Sequence, residues 1–131
     1  MKILCVDDHP VHLQSLAQSV MSVRPEAEIF TFNSARKAQS FAVKNGCDVL
    51  LCEIDLVGGD GILLAENLQE LNPRLNIIFV TVCGEHERAK EVLRLHPSGY
   101  LTKPFTQQQL SQELMQLRHP IDRVPNILCS G

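Results

Sequence analysis

The chain has 131 residues, of which 44% are hydrophobic, and its formal net charge is −3 at pH 7. This size and composition suit one globular domain with a single hydrophobic core and leave no room for a second domain. Because lysine and arginine neither outnumber the acids nor cluster, the sequence argues against direct binding to nucleic acid or to an anionic membrane.

The apolar segments are short, which bears on location and on cysteine chemistry. None approaches the roughly 20 residues that span a bilayer, and the first apolar run follows Met1 and Lys2 directly, unlike a signal peptide. We therefore expect a soluble, cytoplasmic protein. The cysteines number five, without a C-x-x-C pair, so neither a disulfide framework nor a zinc site is predicted. Cys5 and Cys52 lie inside apolar runs, which favours a packing role.

The chain opens with a predicted strand and helix. Residues 3–6 form a continuous apolar run, typical of a strand buried on both faces of a parallel sheet. Two carboxylates, Asp7 and Asp8, follow this strand directly. Pro10 suits a first helical turn, and apolar residues then recur at helical spacing to about Val23.

The second and third strands differ in their expected burial. Residues 28–32 alternate polar and apolar side chains, which predicts a more exposed strand near a sheet edge, and Asn33-Ser34 can cap the helix that follows. Residues 49–52 are uniformly apolar and predict another buried strand. A glycine-rich loop then leads to Asp60, which can cap a third helix.

The alternation of strand and helix continues after the third helix. Residues 76–81 and 99–102 predict the fourth and fifth strands, and residues 85–95 predict a fourth helix with weaker periodicity. Residues 85–91 are interpreted as a mixed, solvated helix face. Thr106 with Gln109 forms a capping-box pattern at the start of a fifth helix.

Strand and helix thus alternate five times with short connections, which predicts a doubly wound α/β fold around a five-stranded parallel sheet. Residues just past the strand ends then gather at one sheet edge, and those that can carry chemistry are Asp7, Asp8, Glu53, Thr81 and Lys103. Neighbouring strands lie about 4.8 Å apart, so these carboxylates can share a ligand. Three carboxylates against one lysine favour a divalent cation, Mg²⁺ or Mn²⁺ rather than zinc.

Four segments together resemble a response-regulator receiver domain: D-D-H-P, D-V-L-L-C-E-I-D-L-V-G-G-D-G, I-I-F-V-T and G-Y-L-T-K-P-F. The resemblance covers residues 2 to about 118. It implies a flavodoxin-like (βα)5 fold with strand order 2-1-3-4-5. We accordingly expect a receiver domain over residues 1–118 and a tail or the start of a linker over residues 119–131.

The resemblance also implies roles for the residues at the sheet edge. Asp7 and Asp8 would hold Mg²⁺ beside Glu53, with the backbone carbonyl of Asp55 as a further ligand. Lys103 would pair with a phosphoryl group. Such a domain is a signalling partner of a histidine kinase or another signalling protein, and its only expected catalysis is self-phosphorylation and self-dephosphorylation.

Two further positions correspond to the switch pair of receivers, Thr81 and Tyr100. In that family, phosphorylation draws the threonine hydroxyl inward and the aromatic ring follows. The face formed by the fourth helix, fifth strand and fifth helix is thereby remodelled. The resemblance therefore implies a possible homodimer through that face.

The sequence departs from the receiver pattern at the phosphoacceptor. Receivers that accept phosphate place an aspartate eight residues before the glycine that is Gly61 here, and this chain has Glu53 at that position. Its carboxylate reaches roughly 1.5 Å further than that of aspartate and could partly mimic a phosphoryl group. Val57 and Val82 replace a proline and a small residue that are usual in receivers, and Val82 could narrow access for a phosphodonor.

Three hypotheses follow. The leading one is an atypical receiver that does not take phosphate efficiently and acts through protein contacts. The alternative is an active receiver that uses Glu53, Asp55 or Asp60 with Mg²⁺. A metal-dependent phosphatase or nuclease is a weaker alternative, because Glu53-Ile54-Asp55 is similar to acidic pairs in such sites. Histidines 9 and 12 are interpreted as solvated side chains rather than as ligands.

Overall fold

The computed structural model describes residues 1–82 and 88–121 of the protein. Five strands form the central sheet: β1 (Lys2–Val6), β2 (Glu28–Phe32), β3 (Val49–Cys52), β4 (Asn76–Thr81) and β5 (Gly99–Thr102). The helices among the described residues are α1 (Pro10–Val23), α2 (Ala35–Asn45), α3 (Gly61–Leu71), α4 (Ala89–Arg94) and α5 (Gln107–Met115).

The sheet is fully parallel, and its strand order is β2-β1-β3-β4-β5. The predicted flavodoxin-like fold and strand order are therefore confirmed. Helices α1 and α5 cover one face of the sheet, and α2, α3 and α4 cover the other. β2 lies at an edge and its side chains are only partly buried, as its alternating pattern predicts.

The two faces of the sheet are separated by the alternation of side chains along each strand. In β1, Leu4 and Val6 pack towards α2 and α3, whereas Ile3 and Cys5 pack towards α1 and α5. All four are completely buried. Burial of a large aliphatic side chain contributes about 1.5–3 kcal/mol, so both faces stabilise the sheet that positions the strand ends.

The strand register aligns the carboxyl ends of the central strands. Val6 of β1 lies opposite Cys52 of β3, and Thr81 of β4 lies opposite Thr102 of β5. A charged residue follows each of three strands: Asp7 follows β1, Glu53 follows β3 and Lys103 follows β5. Parallel pairing therefore delivers these three side chains to the same edge of the sheet.

Helix starts follow the predicted capping chemistry. The Ser34 hydroxyl accepts a hydrogen bond from Lys37 N, and the Asp60 carboxylate accepts from the first turn of α3. Thr106 and Gln109 form the complete capping box of α5. No helix in the described ranges combines the length and apolar character of a membrane span.

Two features differ from the sequence prediction or extend it. The loop after β3 contains a short antiparallel pair, Asp55–Leu56 with Gly59–Asp60, that residue patterning did not indicate. The described part of α4 is shorter than the predicted helix over 85–95, of which residues 85–87 lie outside the described residues.

A neutral polar cluster closes the opposite, amino-terminal edge of the sheet. The Asn76 amide donates to the carbonyls of Asp48 and His119, and its Oδ1 accepts from Ser98 Oγ at 2.9 Å and His119 N at 2.7 Å. Arg118 N donates to Ser98 Oγ. This amino-end cluster ties residues 118–119 to the sheet. The domain limit near residue 118 stays a prediction, and residues 122–131 of the predicted tail lie outside the described residues.

Candidate functional site

Three charged side chains meet at the carboxyl end of the sheet, and we call them the carboxyl-end cluster: Asp7, Glu53 and Lys103. The Lys103 ammonium donates to Asp7 Oδ2 at 2.5 Å and to Glu53 Oε1 at 2.8 Å. Asp7 is 2% exposed and Glu53 is 7% exposed. The two carboxylates from neighbouring strands therefore share one cation, as the predicted strand ends suggested.

The charges of the carboxyl-end cluster depend on one another. Burial opposes the charged form of Lys103, but hydrogen bonds to Asp7 and Glu53 and their negative charges outweigh it and raise the pKa of Lys103. Two carboxylates face one ammonium, so the cluster keeps a formal excess of one negative charge.

Glu53 is held by both of its carboxylate oxygens. Oε1 accepts from Lys103, while Oε2 accepts from the backbone N–H of Ile54 at 2.9 Å. Gly61 lets α3 begin against this backbone, because a Cβ at residue 61 would lie 1.9 Å from the Glu53 carbonyl oxygen. The glycine of the D-G pair is therefore explained by close packing under Glu53.

The remaining predicted metal ligands lie in the surrounding loops. Asp8 Oδ2 accepts from Val57 N at 2.6 Å and thereby joins the loops after β1 and β3. Asp55 is exposed and lies opposite Asp60 in the short antiparallel pair. Within residues 1–82 and 88–121, no three His, Cys, Asp or Glu side chains converge as a metal site. The carboxylate oxygens suit Mg²⁺ chemically, but in this arrangement they are engaged by Lys103 and by backbone N–H groups.

Comparison with known families matches residues 3–115 to the response regulator receiver domain. The chain belongs to the response regulator receiver domain family. The structural likeness agrees: the Vibrio cholerae chemotaxis protein CheY4 superposes with a TM-score of 0.79 at 22% identity, covering 88% of this chain and 97% of that chain. At that identity the likeness shows the fold alone.

Curated relatives of the receiver domain are longer proteins. The chain is 26% identical over 117 residues to the transcriptional regulatory protein YpdB of Escherichia coli (strain K12), covering 89% of this chain and 47% of that protein. It is 30% identical over 114 residues to the sensor histidine kinase RcsC of Salmonella typhi, covering 87% of this chain and 12% of that protein. The chain thus spans about half of the first relative and a small part of the second.

The predicted switch residues of the receiver domain lie on adjacent strands. Thr81 is buried at the end of β4, and its carbonyl accepts from Lys103 N at 2.7 Å. Tyr100 of β5 lies beside Phe79 and packs partly buried against the core on the α2–α4 side. Val82 follows Thr81 and is 64% exposed. The switch role of Thr81 and Tyr100 stays a prediction.

An ion-pair group near α4 was missed when residues 85–91 were interpreted as a solvated face. Arg88 donates to both carboxylate oxygens of Asp60 at 2.9 Å and also to Glu91. The hydrogen bond from Arg88 holds the pKa of Asp60 below its ordinary value. The i,i+3 spacing could have indicated the Arg88–Glu91 pair. The contact with Asp60 depends on tertiary packing.

His9 is exposed, as its interpretation as a solvated side chain predicts, whereas His12 is only partly exposed and makes a contact that the sequence did not indicate. His12 Nδ1 lies 3.2 Å from Lys103 Nζ, and the His12 ring stacks on His9 with centroids 3.9 Å apart. The available signal was the position of both histidines in the first turn after a strand that ends in carboxylates. The carboxyl-end cluster therefore has a neighbour on α1.

Proposed function

We propose that this receiver domain carries Glu53 at the phosphoacceptor position, does not form an acyl phosphate efficiently, and signals through protein contacts. The observation that carries this proposal is the contact of Glu53 Oε1 with Lys103 Nζ at 2.8 Å. The lysine that would neutralise a phosphoryl group in a receiver is already paired with the carboxylate. The other Glu53 oxygen is engaged by Ile54 N.

The length of glutamate explains this pairing. Its extra methylene carries the carboxylate roughly 1.5 Å further than that of an aspartate on the same backbone, which supports direct contact with Lys103. A phosphoryl group adds nearly two negative charges and three acceptor oxygens, whereas Glu53 supplies one charge. Glu53 therefore imitates phosphorylation only in part.

Receiver domains typically bind Mg²⁺ at the phosphorylation site. We propose that Asp7 and Asp8 keep this capacity here, with Glu53 and the backbone carbonyl of Asp55 as the other ligands. The bound ion would offset the excess negative charge of the carboxyl-end cluster. Titration of Mg²⁺ observed at the backbone amides of residues 7, 8, 53 and 55 tests this assignment.

The proposed partner is a histidine kinase or another signalling protein. A kinase that contains a segment similar to this chain, RcsC, supports that class of partner. Homodimerisation through α4, β5 and α5 is the accompanying proposal, and sedimentation at increasing protein concentration tests it. The cytoplasmic location stays a prediction.

The proposal is tested by intact-protein mass spectrometry after incubation with Mg²⁺ and acetyl phosphate. The wild type is expected to remain unmodified. Glu53→Asp is expected to gain a phosphoryl adduct on residue 53, because the shorter carboxylate leaves space beside Lys103. Val82→Ala in the Glu53→Asp background should increase that gain, because a smaller side chain after Thr81 would leave more room for the phosphodonor.

An adduct on wild-type Glu53, Asp55 or Asp60 would contradict the proposal and favour an active receiver. Asp60 is the least available of the three, because it caps α3 and pairs with Arg88. Turnover of a phosphoester by the wild type with Mg²⁺ would instead favour a phosphatase or nuclease.

A further inference from the structure

The Lys103 ammonium has three N–H donors and no acceptor. Among residues 1–82 and 88–121, three groups lie within hydrogen-bonding distance of it: Asp7 Oδ2 at 2.5 Å, Glu53 Oε1 at 2.8 Å and His12 Nδ1 at 3.2 Å. Each donor thus has one partner among the described residues. An incoming oxyanion can bind this ammonium only by displacing one of the three.

His12 differs from the other two partners of Lys103 because it carries no negative charge. A carboxylate attracts an ammonium by charge, whereas the contact with a neutral imidazole depends on the position of the ring nitrogen. Because an ammonium can only donate, Nδ1 of His12 accepts in this contact and the ring carries its proton on Nε2. The contact therefore specifies one tautomer of His12.

The orientation of the His12 ring is itself determined by neighbouring groups. The ring stacks on His9 at an interplanar angle of 15°. His9 is fixed in turn, because its backbone N–H donates to Asp7 Oδ1 at 2.9 Å. Asp7 also binds Lys103 through Oδ2. These contacts form a closed circuit of Asp7, His9, His12 and Lys103.

We propose that His12 is a positioning residue that holds the Lys103 ammonium on Asp7 and Glu53 and limits its availability to phosphoryl groups. This inference rests on the proposed function for the identity of the incoming group. The stacked histidine pair at the start of α1 thereby reinforces the effect of Glu53. Two residues therefore limit the access of a phosphoryl group to Lys103: Glu53, which follows β3, and His12 on α1.

The surroundings of His12 allow its side chain to be replaced. A cavity of about 310 Å³ lies beside it between α1 and the segment after β5, with Ser15, Leu16, Ser19, Pro104 and Phe105 in its wall. A side chain of similar size can therefore turn into this space without displacing the backbone. Substitution at residue 12 then reports on the contact with Lys103 rather than on folding.

The test compares His12→Leu with His12→Asn. Leucine removes the acceptor, while the Oδ1 of asparagine can occupy the place of Nδ1 and restore it. Gln14→Leu, an exposed position on the same helix, is the matched control. In protein labelled with ¹⁵N-lysine, the Nζ signal of Lys103 is assigned by its loss in Lys103→Arg, and exchange of its protons with water is measured.

Exchange is expected to rise about tenfold in His12→Leu, as for loss of a hydrogen bond to a charged group. It should stay near the wild-type rate in His12→Asn and Gln14→Leu. In the Glu53→Asp background, His12→Leu should speed adduct formation about tenfold relative to His12→Asn. Should leucine not be tolerated, His12→Ala makes the same comparison.

Equal Nζ exchange in the leucine and asparagine variants would overturn the role of His12. This result is independent of the proposed function, whose failure is an adduct on the wild-type protein. A wild-type adduct together with faster exchange in His12→Leu would retain His12 as a positioning residue for an active site.

Discussion

Buried polar groups at the two ends of the sheet have different kinds of partner. At the amino end, the Asn76 side chain makes four hydrogen bonds with neutral partners. At the carboxyl end, two nearly buried carboxylates share one ammonium. The Asn76 side chain has partners for its donors and its acceptor, whereas the three residues of the carboxyl-end cluster carry a formal excess of one negative charge.

This difference is the one expected between a structural site and the proposed functional site. A buried neutral group needs only hydrogen-bond partners, and the amino-end cluster supplies them from Ser98 and the backbone. A buried charge costs much more unless it is paired. Excess charge in the carboxyl-end cluster is therefore retained at the expense of stability, as is common where a site binds a ligand or partner.

The largest expected effect comes from removing the shared cation. Lys103→Met strands the carboxylates of Asp7 and Glu53 in a buried setting, and we expect it to lower the free energy of unfolding by about 3 kcal/mol. Urea denaturation followed by circular dichroism measures this loss. Lys44→Met, at an exposed position on α2, should change stability by less than about 0.5 kcal/mol.

A double variant sharpens the interpretation of that loss. Adding Glu53→Gln to Lys103→Met removes one of the two stranded charges and should recover part of the stability. If the double variant were less stable than Lys103→Met, the hydrogen bond from Ile54 N to the Glu53 carboxylate would outweigh the cost of its stranded charge.

A smaller loss is expected at the other end of the sheet. Asn76→Ala removes four hydrogen bonds but strands no charge, so we expect a loss of about 2 kcal/mol in the free energy of unfolding. Ser98→Ala removes one donor and one acceptor and should cost about 1 kcal/mol. The same denaturation series measures both. A loss in Asn76→Ala as large as that in Lys103→Met would remove the contrast between the two clusters.

The sequence predicted the carboxyl-end cluster better than the amino-end cluster for a physical reason. Charged residues that follow apolar strands are visible in the pattern, and parallel pairing necessarily brings them to one edge. Asp7, Glu53 and Lys103 could be chosen in this way. The strand bounds were also predictable, because uniform burial of β3 and alternation in β2 leave different patterns.

The partners of Asn76 and His12 could not be predicted from local patterns. Asn76 bonds to residue 119, which is 43 positions away, and His12 contacts Lys103, which is 91 positions away. An asparagine at a strand start and a histidine in a first helical turn are each compatible with solvent exposure. These side chains acquire their partners only because α1 and the chain after α5 pack against the sheet.

The smallest effect should be the part of the alkaline loss of stability that depends on Lys103. The pKa of Lys103 is raised in the folded protein, so its charge stabilises the fold below the unfolded pKa, and that contribution is lost as pH rises through the folded value. Lys103→Arg keeps the charge throughout this range. We therefore expect the wild type to lose more stability than Lys103→Arg as the pH rises above about 10.4, the ordinary pKa of lysine.

Thermal unfolding of both proteins at increasing pH measures the difference, because the two proteins differ only at residue 103. Asn76→Ala should show the same alkaline slope as the wild type, because the hydrogen bonds that it removes carry no titrating proton. Parallel slopes for the wild type and Lys103→Arg would mean that the Lys103 charge is not coupled to folding. The two clusters would then differ in their contribution to stability only through their hydrogen bonds.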